Sequence, residues 1–332
     1  MTACFIVRCL PKSELDLIRE IRRRAAPVAR GSKAARRGIG DDCAVLRTGT
    51  NEEVLVTTDF SLEGVHFRRE WHPPDSVGHR CLARGLSDIA AMGGEPITAF
   101  LSLGLPRDLP QKWVDAFVRG LLKLAADYGV SLAGGDTAES PAGVLADIIV
   151  LGSVPRGKAV LRSGARPGDR IYVTGGLGAS AATLKLLFAG KGRIRARDFQ
   201  QHFYPNPLID VGRFLRENNL ASAMIDISDG LSTDLSHICE ESGVGAEILE
   251  EAIPKAIIGR PAREVDLRAA LHGGEDYELL FTAKRGKRIP RKIAGVGITQ
   301  IGRVTRGREI MFINQYGVGQ ELHSQGWEHF RR

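Results

Sequence analysis

The sequence predicts a two-domain protein of the α/β or α+β class, and three observations support this. Predicted strands and helices alternate in both halves of the chain. A chain of 332 residues with 43% hydrophobic content is too long for one ordinary core. The segment 155–168 is rich in Gly, Pro, Arg and Ser, as connections between domains often are. We therefore expect an N-terminal domain over residues 1–152 and a C-terminal domain over residues 153–332.

Capping signals and hydrophobic periodicity predict the elements of the N-terminal half. A helix over 76–92 is expected to have Asp75 as its N-cap and to end at a Gly-Gly pair. Apolar residues at helical spacing predict a second long helix over 109–128. A shorter helix is expected over 14–25. The predicted strands cover 43–46, 54–57, 98–105, 130–133 and 148–154.

The same signals predict the elements of the C-terminal half. Its strands are expected over 170–173, 223–227 and 277–282, and its helices over 180–189, 210–218 and 231–242. The Gly-rich turn 175–178 follows a strand and opens a helix, so its backbone N–H groups could bind a phosphate. The turn matches neither the P-loop nor the dinucleotide fingerprint, and an ordinary tight turn explains it equally well.

Composition excludes several classes of protein. The net charge of +7 is compatible with a nucleic acid, an anionic membrane or an anionic metabolite as partner. No nucleic-acid motif accompanies the charge, and aromatic residues make up only 6% of the chain. No apolar stretch approaches the roughly 20 residues that span a bilayer. The five cysteines include no CxxC pair, which indicates reduced thiols. We therefore expect a soluble cytoplasmic protein without nucleic-acid or membrane partners.

Acidic residues flanked by small residues are the most informative feature of the chain. They recur at the ends of predicted strands and helices, at Asp41, Asp42, Asp59, Asp88, Asp136, Asp226 and Asp229. A single Asp often serves a local turn or cap. If several converge, however, their mutual repulsion is relieved by Mg²⁺, which takes hard oxygen ligands together with substrate phosphates. The whole set therefore predicts several Mg²⁺ ions and a polyphosphate ligand.

His66 lies on a predicted loop near Asp59, and either a structural or a phosphate-binding role fits it. There is no HExxH motif and no Gly-x-Ser-x-Gly elbow. The sequence therefore gives no support for nucleophilic hydrolysis.

These motifs, in this order, resemble the thiamine-monophosphate kinase family. That family belongs to the superfamily of aminoimidazole ribonucleotide synthetase and selenophosphate synthetase. The resemblance runs from about Glu14 to Phe330. Its most specific segments are GIGDDCAVL at 38–46, TTD at 57–59, EGVHF at 63–67, LSDIAAMG at 86–93, GGDT at 134–137, IDISDGL at 225–231, GGEDYEL at 273–279 and GWEHF at 326–330.

The resemblance implies a site for ATP, Mg²⁺ and thiamine monophosphate between the two domains, and a homodimer in which the N-terminal sheets pair. The metal ligands that it implies are Asp42, Thr57, Thr58, Asp59, Asp88, Asp136, Asp226 and Asp229. The ATP contacts that it implies are Gly135, Asp136, Arg162 and Ser228. The substrate contacts that it implies are His66, Glu275 and Trp327. An aromatic ring such as Trp327 suits a cationic thiazolium, and Glu275 would supply the opposite charge.

The resulting hypothesis is in-line transfer of the γ-phosphoryl group of ATP to thiamine monophosphate, the last step of thiamine diphosphate biosynthesis. Such a transfer needs positioning and charge neutralisation more than covalent help. The acceptor phosphate is already ionised at neutral pH, so no general base is assigned.

Two alternatives of different class remain at this point. Another ATP-using member of the superfamily is one, although Cys4 and Cys9 lack the glycine-rich setting of a selenophosphate synthetase and the chain has no C-terminal Cys as in hydrogenase-maturation relatives. A basic, non-catalytic nucleic-acid-binding module is the other. Salt-sensitive DNA binding without kinase turnover would favour the second alternative.

Overall fold

The computed structural model describes residues 51–190 and 194–327, together with residues 16, 18, 19, 22, 23, 35–37, 39–47 and 49. These residues form two large β-sheets with helices packed against them, which confirms the predicted α/β or α+β class. Within the helix predicted over 14–25, the described residues are helical, and the others lie outside the described part. No described helix is both long enough and apolar enough to cross a bilayer.

Six strands form the sheet of the N-terminal half. They are β1 (Ala35–Arg37), β2 (Ala44–Arg47), β3 (Glu52–Leu62), β4 (Glu95–Leu105), β5 (Ser131–Glu139) and β6 (Leu145–Pro155). Their order in the sheet is β1-β2-β3-β6-β4-β5. Neighbouring strands are antiparallel, except that β4 and β5 are parallel.

Two long helices, α1 (Pro74–Ala91) and α2 (Gln111–Asp127), pack together on one face of this sheet. Gly78 of α1 lies against the carbonyl of Phe117, and Gly120 of α2 lies against the carbonyl of Asp75. A Cβ atom at either glycine would clash with that backbone, so the pair of glycines allows the two helices to approach closely. This contact fixes α1, which carries Arg80, Arg84 and Asp88 of the candidate site.

The second sheet belongs to the C-terminal half and is mostly antiparallel. Its strands are β7 (Arg170–Thr174), β8 (Ala223–Ile227), β9 (Gly245–Leu249), β12 (Glu278–Ala283), β13 (Lys292–Ile293), β14 (Val296–Thr305), β15 (Ile310–Ile313) and β16 (Gly319–Glu321), while β10 (Ile257–Ile258) and β11 (Arg263–Glu264) form a separate pair. The order is β16-β15-β9-β14-β7-β12-β8, with β13 paired to β14. The helices are α3 (Ala179–Ala189), α4 (Gln200–Phe203), α5 (Ile209–Glu217), α6 (Leu231–Ser242) and α7 (Leu267–His272), with 3₁₀ turns at Ala196–Asp198 and Glu250–Ala252.

Two hydrophobic cores hold the fold together, and one of them joins the two halves. The larger core contains the buried residues of the first sheet with α1 and α2, and it also includes Leu215 of α5, Met224 of β8 and Phe281 of β12. The smaller core lies within the C-terminal half, around Ile171, Leu235 and Ile301. Because the larger core extends across both halves, α1 is held against elements of the C-terminal half, and a site between the halves is placed by buried packing.

The structure differs from the predicted elements in informative ways. Asp75 is not the N-cap of α1, because Pro73 occupies that position and a proline at the first helical residue needs no donor partner. Asp75 lies in the first turn, where its carboxylate accepts a hydrogen bond from the Tyr204 hydroxyl at 2.9 Å. A contact from the other half of the chain therefore sets the role of Asp75.

Two strands continue beyond the ends that the sequence predicts for them. Strand β3 passes through Thr58 and Asp59 because it pairs with β6 along its whole length, and β5 continues through Asp136 because it pairs with β4. Asp59 and Asp136 therefore lie inside strands and not at their ends. Strands β9, β14, β15 and β16 lie in segments where the sequence predicted no strand.

Candidate active site

Three carboxylates from distant parts of the chain meet where the two halves pack together. Asp42 precedes β2, Asp88 lies in the last turns of α1, and Asp226 lies in β8. One oxygen from each of the three lies within 4.8 Å of the others, a spacing at which a metal ion could bind. We call these three residues the acidic cluster. The fold thus brings together one residue from each of three separate predicted motifs.

Neighbouring side chains fix the orientation of each carboxylate in the acidic cluster. The Thr57 hydroxyl donates a short hydrogen bond to Asp88, and the Ser87 hydroxyl donates to Asp226 at 2.6 Å. Arg162 donates to both oxygens of Asp42, at 2.9 and 3.2 Å. Arg162 is thus the cation that contacts this cluster directly, and it was predicted as an ATP contact.

Asp59 lies beside the acidic cluster and has an unsatisfied oxygen. Its Oδ2 atom is buried and finds no hydrogen-bond partner among the residues that the structure describes. Burial raises the pKa of Asp59, the charge of Arg84 and a hydrogen bond with Asp88 oppose that rise, and the nearby Asp147 adds to it. A buried acceptor without a partner is costly, so this oxygen is a candidate metal ligand.

The acidic cluster carries more negative charge than the protein neutralises. Burial, followed by the charge of Asp42, raises the pKa of Asp226 to about 8. Burial, followed by the charges of Asp59 and Asp226, raises the pKa of Asp88 well above its usual range. Hard carboxylate and hydroxyl oxygens in excess of cations are the environment that suits Mg²⁺. The residues present therefore fit a divalent cation.

A second acidic group lies at the start of α6 and was only partly predicted. Asp229, Asp234 and His237 each place a ligand atom within 4.8 Å of the others. The carboxylate of Asp234 also accepts hydrogen bonds from the backbone N–H groups of Asp229 and Gly230, at 3.2 and 2.9 Å. Sequence reasoning found Asp229 but missed its two partners. The i, i+3 spacing of Asp234 and His237 on a helix was the signal that could have found them.

Thr58 and Asp136, which were predicted as metal ligands, lie on the other face of the first sheet. Thr58 is exposed whereas its neighbour Thr57 is buried, as alternation along a strand requires. The Thr58 hydroxyl donates to Asp147 at 2.8 Å. Asp147 aligns with Ser102 of β4, and Ser102 aligns with Asp136 of β5. The fold therefore groups Thr58, Asp147 and Asp136 on one face, apart from the acidic cluster.

Glu275, predicted to contact the substrate, is held by two arginines of α1. Arg80 and Arg84 each donate to one oxygen of its carboxylate, at 2.7 Å in both cases. Burial alone would raise the pKa of Glu275, but Arg80 and Arg84 hold it well below its usual range. Glu275 is therefore ionised with cations already beside it, and neither arginine was identified from the sequence.

The remaining predicted site residues are His66, Trp327, Ser228 and Gly135. The His66 ring accepts a hydrogen bond from the Leu62 N–H at 3.0 Å, which fixes the ring near the end of β3. The backbone N–H of Trp327 donates to the carbonyl of Asp229 at 3.0 Å, while 54% of the residue remains exposed. The Ser228 carbonyl accepts from the Glu275 N–H at 2.7 Å. Gly135 lies on β5 next to Asp136, on the edge strand of the first sheet.

The Gly-rich turn before α3 is closed by a side chain of the protein. The Asp276 carboxylate accepts from the N–H groups of Gly178 and Ser180, at 2.5 and 3.2 Å. Burial raises the pKa of Asp276 to about 7 despite these hydrogen bonds. These helix N-terminal donors are therefore already occupied, and the structure favours an ordinary capped turn over a phosphate-binding one.

Comparisons with known proteins extend over both halves. The family described as AIR synthase related protein, N-terminal domain, matches residues 40–154, and the corresponding C-terminal domain family matches residues 166–313. The thiamine-monophosphate kinase of Salmonella typhimurium is 39% identical over 308 residues, which cover 88% of this chain and 91% of that protein. The thiamine-monophosphate kinase of Bacillus subtilis is 34% identical over 307 residues, which cover 89% of this chain and 93% of that protein.

Solved structures resemble this one along nearly the whole chain. AaThiL complexed with AMPPCP and TMP is 33% identical to this chain, with a TM-score of 0.84. The match covers 98% of this chain and 100% of that one. The thiamine-monophosphate kinase from Stenotrophomonas maltophilia K279a is 34% identical, with a TM-score of 0.71. The match covers 87% of this chain and 94% of that one. The hydrogenase maturation protein HypE in complex with ATP has a TM-score of 0.69 at 19% identity, a likeness of fold alone.

Proposed function

The chain belongs to the AIR synthase related family and, within it, to the thiamine-monophosphate kinases, and on that premise we propose that it transfers the γ-phosphoryl group of ATP to thiamine monophosphate. The products are thiamine diphosphate and ADP. The proposal rests on the acidic cluster, whose surplus negative charge lies where the two halves meet. An ATP-dependent kinase of this kind needs that charge neutralised by cations that also bind phosphates.

We assign the cluster Asp42, Asp88 and Asp226, with Asp59 and Thr57, as the ligands of Mg²⁺ ions. When bound, Mg²⁺ neutralises phosphate charge and orients the reacting groups. Thr57 and Ser87 hold the carboxylates of Asp88 and Asp226 in place for this role. Asp229 is a further proposed ligand, and its neighbours Asp234 and His237 support that assignment.

The protein itself supplies positioning and charge to the reaction. We assign Arg162, which is bound to Asp42, as a contact of the nucleotide phosphates, and a guanidinium suits that role because it is planar and always charged. Ser228, beside Asp226 and Asp229, is the second proposed ATP contact. No side chain is needed as general base, because the acceptor oxygen is already ionised.

We propose that the thiamine part of the substrate lies near His66, Glu275 and Trp327. Trp327 is 54% exposed, and we propose that its ring makes a cation–π contact with the thiazolium, worth about 1 kcal/mol. Glu275 is an ionised acid near the same turn, since its backbone N–H bonds to Ser228 and that of Trp327 bonds to Asp229. Because Arg80 and Arg84 both pair with its carboxylate, Glu275 would contribute to binding through hydrogen bonding and not through net charge.

We propose a homodimer in which a second copy covers the outer face of the first sheet. That face carries the exposed apolar residues Phe60 and Ile97, and it ends at β5, an edge strand whose residues are almost all exposed. Exposed apolar faces and long unpaired edges in native proteins usually have a partner. Thr58, Gly135 and Asp136 lie on or beside this face, so their proposed roles with metal and ATP depend on such a dimer.

The domain limits 1–152 and 153–332 and a cytoplasmic location complete the proposal. The buried Cys43, Cys81 and Cys239 are free thiols, as is usual in a reducing compartment that also supplies ATP.

The deciding experiment is to incubate the protein with ATP, MgCl₂ and thiamine monophosphate and to quantify thiamine diphosphate by chromatography. We expect product that requires all three components and disappears when EDTA is added. ATP hydrolysis without thiamine diphosphate, or no turnover with Mg²⁺ present, would refute the proposed function.

A further inference from the structure

Arg80, in the middle of α1, touches both halves of the protein at once. The residue is buried, with 3% of its surface exposed. Its guanidinium donates to the Glu275 carboxylate at 2.7 Å, to the carbonyl of His66 at 3.5 Å, and, by a short hydrogen bond, to the carbonyl of His202. His66 follows β3 in the N-terminal half, whereas Glu275 and His202 belong to the C-terminal half. One planar group thus links the two proposed substrate contacts that come from opposite halves.

A buried hydrogen-bonded chain fixes the His202 side of this contact. The Nε2 atoms of His72 and His202 lie 3.1 Å apart, and His202 Nδ1 lies 2.9 Å from the Ser180 hydroxyl. Burial and the neighbouring Arg80 cation lower the pKa of His72 to about 4 and that of His202 well below its usual range. Both rings are therefore neutral at physiological pH, and the chain holds α4 firmly against the segment before α1.

Glu275 is held in a backbone conformation that its own side chain does not favour. Its φ of 63° lies in the left-handed region, which non-glycine residues adopt rarely and only where contacts enforce it. The enforcing contacts are the hydrogen bond from its N–H to the Ser228 carbonyl and the ion pairs with Arg80 and Arg84. Arg80 is thus one of the few groups that decide where the Glu275 carboxylate lies.

We infer that Arg80 is a positioning residue of the thiamine-phosphate pocket, which sets the position of His66 relative to Glu275. The inference rests on the proposed function, because it takes His66 and Glu275 as substrate contacts. Arg80 is enclosed by protein groups and acts through these two residues. A conservative change at Arg80 weakens thiamine monophosphate binding and leaves ATP binding almost unchanged, since the described contacts of Arg80 include no proposed ATP ligand.

Arg216 of α5 provides a matched control. It is also a buried arginine and also pairs with acids, Glu217 at 3.1 Å and Glu95 at 3.7 Å. Neither acid has a proposed role in the site. A purely structural arginine should therefore behave like Arg216, and a positioning residue should not.

The test compares Arg80→Lys and Arg80→Gln with Arg216→Lys. Folding is checked by circular dichroism and thermal unfolding, and KM is then measured for each substrate at saturating concentration of the other. For either Arg80 variant that folds, we expect the KM for thiamine monophosphate to rise roughly tenfold to a hundredfold, since small displacements of positioning groups have effects of this size. We expect the KM for ATP to change less than about threefold, the pattern of a loss confined to one substrate. In Arg216→Lys we expect any change to affect both KM values alike.

Unchanged KM values in the Arg80 variants would overturn the inference, and so would equal increases for both substrates. Titration calorimetry with thiamine monophosphate alone gives a second measurement that is independent of turnover, and unaltered affinity there would have the same meaning. An inactive wild-type protein would instead refute the proposed function itself, so the two failures can be told apart.

Discussion

Helix α1 presents two contrasting environments for carboxylates along one side. In its middle, Arg80 and Arg84 lie one turn apart and hold Glu275, whose pKa falls well below its usual range. Near its end, Asp88 meets Asp226 and Asp42, and the pKa values of Asp88 and Asp226 rise. Residues 80, 84 and 88 share one side of the helix because they are four positions apart.

The difference between these regions lies in where the compensating positive charge comes from. The Glu275 region contains its own cations, since Arg80 and Arg84 both pair with this carboxylate. The acidic cluster has Arg162 on Asp42 and a buried oxygen of Asp59 without a hydrogen-bond partner among the described residues, so we propose that further cations bind there. On this proposal, the same type of side chain serves positioning in one region and cation binding in the other.

The largest expected effect comes from removing one charge of the acidic cluster. Asp226→Asn keeps the shape of the side chain and an acceptor for the Ser87 hydroxyl. We expect turnover to fall roughly 100- to 1,000-fold, the usual cost of losing a group that stabilises transferring charge. In EDTA at a pH above about 8, where Asp226 is ionised, we also expect the Tm to stay the same or rise, because one of several repelling carboxylates is gone.

Steady-state turnover and thermal scans in EDTA check both parts. Wild-type activity would show that Asp226 is not a metal ligand. A markedly lower Tm in EDTA would show that the protein already compensates its charge, as it does that of Glu275.

The second effect concerns stability at the Glu275 region. Glu275→Gln removes the carboxylate that pairs with both Arg80 and Arg84 and leaves only the charge of Asp59 near Arg84. We expect unfolding in urea to become easier by about 3 kcal/mol, as when a buried ion pair loses one partner. The matched control is Glu278→Gln. Glu278 is half-buried like Glu275, but its carboxylate accepts a hydrogen bond from the Thr174 hydroxyl, and burial raises its pKa to about 7. Replacing it should cost less than about 1 kcal/mol. Equal losses in the two variants would contradict the assignment of Glu275 as a compensated charge.

The smallest effect is the pH dependence of stabilisation by Mg²⁺. The pKa of Asp226 is raised to about 8 in the folded protein, against about 3.9 in an unfolded chain. The folded state therefore binds the proton more tightly, and the stability of the metal-free protein falls as pH rises from about 4 to about 8. Mg²⁺ replaces that proton. We expect saturating Mg²⁺ to raise the Tm by about 5 °C at pH 8 and by less at pH 6.

Thermal scans with and without Mg²⁺ at the two pH values test this, with Asp226→Asn as the control that should lose most of the difference. A shift of equal size at both pH values would indicate that protons and Mg²⁺ do not compete at the acidic cluster.

Much of the site was predictable because its residues lie in short local motifs. Asp42, Asp88 and Asp226 each stand beside small residues in a recognisable segment, and the structure brings all three together. The alternation of side chains in a strand could have shown in advance that Thr57 and Thr58 face opposite sides of the first sheet. That rule also separates Thr58 and Asp136 from the acidic cluster.

Other parts of the site leave no local signal in the sequence. In the sequence, Arg80 and Arg84 resemble an exposed basic stripe of a helix, because no acidic residue close to them along the chain could pair with both. Their partner, Glu275, is separated from Arg80 by 195 residues. The buried pair of His72 and His202 is separated by 130 residues. Such pairings exist only after two distant elements pack together.

The amino-acid sequence by itself determined the fold class and the membership of the thiamine-monophosphate kinases, because periodicity and short motifs are properties of neighbouring residues. Only the tertiary structure decided which carboxylates come together, which of them have their charge neutralised by arginines of the protein, and which lie on the opposite face of the first sheet. The physical reason is that desolvation and Coulomb interactions act between atoms that are close in space, whatever their separation along the chain.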